Sequence, residues 1–75
     1  MDRYKLSNII YNKRKEMGLS QKEFAQQSNT SRRTIEFCED IECDDKFKPN
    51  IRQLKRVSKF TNIEYSILYD LVYGK

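Results

Sequence analysis

The chain has 75 residues, a net charge of +4, charged side chains at 35% of positions and no histidine. That length supports one small domain, residues 1–75, with a limited core, and no stretch approaches the about 20 consecutive apolar residues that a membrane-spanning helix needs. Lacking histidine, the commonest general base, and holding only Cys38 and Cys43, the chain is expected to be neither an enzyme nor a disulfide framework, and to bind no metal or cofactor. The opening Met1-Asp2-Arg3-Tyr4 leads into a polar helix rather than a signal sequence, so a cytoplasmic protein is expected.

The first helix is predicted from about Tyr4 to Met17, with Leu6, Ile9, Ile10 and Met17 inward at helical spacing. Gly18 ends it in the left-handed conformation that glycine adopts without strain. Ser20 and Glu23 form a capping box that opens the second helix, Gln21 to Gln27, which buries Phe24 and Ala25. Asn29 makes the next turn, asparagine being the most tolerant of positive φ after glycine. Ser31 caps a third helix, about Arg32 to Asp40, with Ile35 inward and Cys38 as a small core hydrophobe. A loop follows from Ile41 to Lys48, and then Asn50 caps a fourth helix, Ile51 to about Phe60, burying Ile51, Leu54 and Val57. The fifth helix, about residues 64–73, is apolar or aromatic on nearly every face. One stripe of it can cover this core, which leaves Tyr65, Tyr69, Val72 and Tyr73 as the candidate face of a homodimer. The expected fold is therefore all-α, with five helices.

Charge is distributed unevenly. Arg3 to Lys22 is basic, Glu39 to Asp45 is acidic, and Lys46 to Lys59 is basic again. Arg32 and Arg33 stand in a first helical turn, where the helix dipole favours acids, so they are expected to serve an outside partner. With Glu36 and Phe37 they form the candidate base-reading set. Arginine meets guanine O6 and N7, glutamate accepts from cytosine N4, and phenylalanine packs on a thymine methyl. The plainer alternative for the charged members is a solvated face with an Arg32–Glu36 pair. Phe37 favours the docking surface, because an aromatic ring gains nothing from water. Lys46 and Lys48 precede the fourth helix and are candidates for phosphate contact.

Gly18, Leu19, Ser20, Gln21, Glu23, Ala25, Ser31, Thr34, Ile35 and Glu39 occur in one register that resembles the Cro/repressor family of phage-type (XRE-like) helix-turn-helix proteins. Ile10 and Arg14 upstream, and Pro49, Leu54 and Val57 downstream, extend the resemblance over about Leu6 to Tyr69. It implies a compact five-helix lambda-repressor-like domain with a helix-turn-helix over about residues 20–40. It also implies a partly buried structural ion pair between Arg14 and Glu39, and phosphate contacts at the helix starts that carry Gln21, Ser31 and Asn50. The chain departs from the family at Asn29, where glycine is usual, at Thr61, where leucine is usual, and in a loop that lacks the family's glycine.

The function implied is sequence-specific binding of a double-stranded DNA operator by a homodimeric transcriptional repressor, Cro-like or like the controllers of restriction–modification systems. Such dimers set their recognition helices in successive major grooves about 34–36 Å apart. Which of Arg32 and Arg33 meets a base is left open by the sequence. The rival reading is a protein-binding module, an antitoxin or adaptor with a protein partner, since a fold does not fix a function.

Overall fold

A computed structural model describes residues 3–74, apart from the side chain of Asp45, so the ends of the 1–75 domain lie outside the described residues. All its regular structure is helical: α1 (Arg3–Glu16), α2 (Gln21–Ser28), α3 (Arg32–Glu39), α4 (Ile51–Thr61) and α5 (Tyr65–Tyr73), with a 3-10 turn at Asp45–Phe47. None of the described helices is long and apolar enough to cross a membrane.

Short-range chemistry sets most of these boundaries. The Ser20 hydroxyl accepts the Glu23 N–H at 3.1 Å, and the Glu23 carboxylate accepts the Ser20 N–H at 2.9 Å. The bond from the Ser20 N–H, and after it the hydroxyl contact, hold the Glu23 carboxyl below its usual pKa. Its contribution to the cap is therefore lost only as pH falls through that lowered value. Ser31 accepts the Thr34 N–H at 3.2 Å and Asn50 accepts the Gln53 N–H at 2.9 Å, each cap being worth about 1 kcal/mol. Gly18, Asn29 and Asn62 hold positive φ values of 72°, 59° and 62° at the ends of α1, α2 and α4. At the start of α5, by contrast, Glu64 makes no side-chain cap.

α3 packs on α1 and α2, α4 on α2 and α5, and α5 closes the fold against α1. Leu6 and Ile10 from α1, Phe24 and Ala25 from α2, and Ile35, Phe37 and Cys38 from α3 meet Leu54, Val57, Leu68, Leu71 and Val72 in one core. Phe60 meets Phe24 edge to face, with centroids 5.2 Å apart, and so supplies apolar volume next to Thr61. Thr61 is itself buried, its hydroxyl donating to the Val57 carbonyl at 2.7 Å. Burial pushes the Cys38 thiol up to about 12, so it stays protonated and packs as a small apolar group.

Two residues expected in the core lie outside it. Met17 is exposed, because α1 ends at Glu16 and the chain turns away at Gly18. Ile51 is 49% exposed in the first turn of α4, in a shallow groove shared with Tyr69 and Tyr73.

Candidate nucleic-acid interface

The surface around α3 is held from behind by a buried ion pair. Arg14 meets Glu39 through two parallel bonds, Nε to Oε2 at 2.8 Å and Nη2 to Oε1 at 2.9 Å, with 9% and 6% of the two side chains exposed. Its third nitrogen, Nη1, donates to the Leu19 carbonyl at 2.9 Å, and Gln21 reaches Glu39 Oε1 at 3.4 Å. The bonds to Glu39 raise the Arg14 pKa against the opposing effect of burial. One guanidinium thus ties α1, the turn before α2 and the end of α3 together.

The start of α3 is tied to α4. The Gln53 side-chain oxygen accepts the Ser31 N–H at 3.2 Å and the Thr34 hydroxyl at 3.1 Å. Arg56 donates to the Asn29 carbonyl at 3.0 Å. Neither Gln53 nor Arg56 stood out in the sequence. Gln53 occupies the third position after its Asn50 cap, where a capping-box residue would turn back on its own helix, and here it reaches across to α3 instead.

On this fixed helix Arg32, Arg33 and Glu36 face water. Arg32 Nε lies 3.2 Å from Glu36 Oε1, an exposed pair of the kind worth about 0.3–0.5 kcal/mol. Such a pair opens at little cost when a better partner arrives. Arg33 turns the other way, its guanidinium 4.6 Å from the centre of the Phe47 ring. Arg32 also borders a shallow depression at the start of α2, together with Lys15, Ser20, Gln21 and Lys22. Lys15 and Lys22 are site candidates that the sequence marked only as members of a basic run.

Phe37 does not belong to this surface. It is 0% exposed, and the Arg3 guanidinium lies over its ring at 3.9 Å. Arg3 also donates to the Phe37 carbonyl at 3.1 Å and to the Cys43 carbonyl at 3.3 Å. The loop after α3 packs Cys43 and Phe47 against the same core, and the bond from Arg3 to the Cys43 carbonyl holds it on the Arg3 side of α3. The role of Phe37 is packing rather than base reading. Phe37→Ala should therefore cost about 3–5 kcal/mol of unfolding free energy in urea melts. Arg33→Ala, on the exposed side, should stay within about 0.5 kcal/mol of the parent. A Phe37→Ala protein as stable as the parent would return the ring to the surface.

The flanking candidates are present but differ in freedom. Lys46 is exposed, 4.0 Å from the Asp44 carboxylate, and Lys48 lies over the Tyr73 ring at 4.9 Å. Asp40 and Asp44 each accept a backbone N–H two residues on, from Glu42 and Lys46, which shapes the acidic loop locally. Ser31 and Asn50 spend their side chains on capping, and the Ser31 N–H is taken by Gln53.

On α5, Tyr65, Tyr69 and Tyr73 form a ladder with ring centroids 6.0 and 5.2 Å apart. Tyr69 and Tyr73 are 40% and 37% exposed, whereas Tyr65 rests partly on the core. Val72 is 0% exposed and leaves the candidate dimer face, because it lies on the stripe of Leu68 and Leu71 that closes the core. The Tyr73 hydroxyl donates to the Pro49 carbonyl. No group of three or more metal-ligating side chains occurs among the described residues. Comparison with protein-family models, with curated proteins and with solved structures returned no match.

Proposed function

We propose that this chain is a sequence-specific, double-stranded DNA-binding transcriptional repressor that acts as a homodimer. In this reading α2 and α3, joined through residues 29–31, form a helix-turn-helix, and the start of α3 enters the major groove. The observation that carries it is the pair of exposed arginines, Arg32 and Arg33, in the first turn of a helix pinned at both ends, by Gln53 in front and Arg14 behind. A recognition surface that is already ordered loses less entropy on binding. Arg32 releases Glu36 to meet a guanine, and Glu36 is then free to accept from cytosine. Gln21 and Lys22 at the start of α2, and Lys46, Lys48 and Asn50 ahead of α4, meet phosphates on either side.

Selection of bound sites from random duplexes tests this directly. Arg32→Ala and Arg33→Ala should each keep the fold, and the one that reads a base should lose about 1–3 kcal/mol on the selected site and relax one position per half-site. If both variants bind the site as tightly as the parent, α3 is not the reader. The exposed Tyr69, Tyr73 and Ile51 favour a second reading, a module for a protein partner. That reading predicts no selected duplex at all.

A further inference from the structure

α4 carries Arg52, Lys55, Arg56 and Lys59, with no acidic residue among its 11 positions. At this spacing the four gather on one side of the helix, along a shallow groove that Ile51 also lines. Like charges three and four residues apart repel each other and weaken a helix. Elsewhere the chain relieves such charge locally, as in the Lys13–Glu16 and Arg32–Glu36 pairs. Among the described residues none of the four α4 cations takes part in an ion pair. The ridge begins where the α3 surface ends. Arg56 is bonded to the Asn29 carbonyl in the turn before α3, and Gln53 on the same helix is bonded to the Ser31 N–H.

We infer that Arg52, Lys55 and Lys59 form a second phosphate track, which carries a DNA strand along α4 beyond the contacts made by α3 and the Lys46–Lys48 segment. The inference rests on the DNA reading above and adds to it a surface with its own energetic signature. Charge complementarity and continuity with the α3 surface select the occupant. From Arg52 to Lys59 a helix rises about 10 Å, and along one DNA strand, which also winds round the axis, successive phosphates stand roughly 7 Å apart. Three cations over that length flank about two to three successive phosphates. The track reads no base, so it strengthens operator and random DNA alike. Arg56 stays with the Asn29 carbonyl and orients the turn.

The test compares the parent with the Arg52→Gln/Lys55→Gln/Lys59→Gln triple variant, and with Lys55→Gln/Lys59→Gln in case the triple variant melts early. Arg56 is left in place because it holds the turn. Binding to the selected operator and to a random duplex of equal length is followed from low to moderate salt. Each lost phosphate contact removes about 0.9 from the slope of log K against log salt, so the triple variant should lose about 1.8–2.7 per subunit and the double variant less. Affinity should fall equally on both duplexes, and the bases preferred in selection should stay the same. An unchanged slope overturns the track and leaves the α3 reading standing, as does a changed base preference at constant slope. An unchanged slope with loss of self-association in sedimentation overturns it in favour of an acidic protein surface on the ridge. A parent protein that binds neither duplex overturns the track and the DNA reading together.

Discussion

Arg14→Ala should lower the unfolding free energy by about 3–5 kcal/mol, a large share of what a domain of this size possesses. The substitution strands Glu39, whose side chain is 6% exposed and whose two oxygens both accept from Arg14, in a place that water cannot reach freely. It also removes the donor to the Leu19 carbonyl, so the turn before α2 loosens with it. Arg14→Ala combined with Glu39→Ala should cost clearly less than the two single losses added together, because both desolvated charges are then gone. Urea melts of the three variants check this. Strictly additive losses would mean that each charge is satisfied without the other.

In the proposed homodimer, Tyr69→Asp should reduce operator affinity by about 10²–10⁴-fold while leaving half-site affinity intact. Without the dimer, the second half-site is no longer engaged at high effective concentration. Tyr69 is 40% exposed beside Tyr73 and Ile51, and it makes no hydrogen bond that holds the fold. Across a two-fold axis the new carboxylate appears twice, and both copies lose solvent on association. Tyr69 is a cleaner probe than Tyr73, whose hydroxyl bonds the Pro49 carbonyl and whose ring lies under Lys48. Sedimentation at micromolar concentration decides the matter. A parent monomer that binds the full operator tightly refutes the dimer, and a Tyr69→Asp protein that remains dimeric moves the interface off α5.

Every helix start except that of α5 or α1 is written in residues no more than three apart. Ser20 with Glu23, Ser31 with Thr34, and Asn50 with Gln53 form their caps wherever the local backbone allows, so the sequence by itself determined those boundaries. The same holds for the positive φ at Gly18 and Asn29, which depends on the residue and its neighbours alone. Leu6 and Ile10 of α1 and Phe24 and Ala25 of α2 lie in the core as the sequence has them, whereas Met17 does not. The Arg14–Glu39 pair spans 25 residues and no spacing rule reaches it; it came from the resemblance of a whole register.

What only the tertiary structure decided are the positions whose environment is built by distant chain. Phe37 sits one position after the exposed Glu36, and it is buried because its side of α3 meets the core while Arg3, 34 residues earlier, lies over its ring. Val72 was one of several apolar residues on a helix apolar all round, and only docking of α5 on α4 and α1 selects which stripe is covered. Ile51, Gln53 and Arg56 take their roles from where α4 lies against α5 and against the turn before α3. Caps and left-handed turns are settled within one turn of helix. Which face of a helix meets water is settled by what packs on it, and that information is spread over the whole chain.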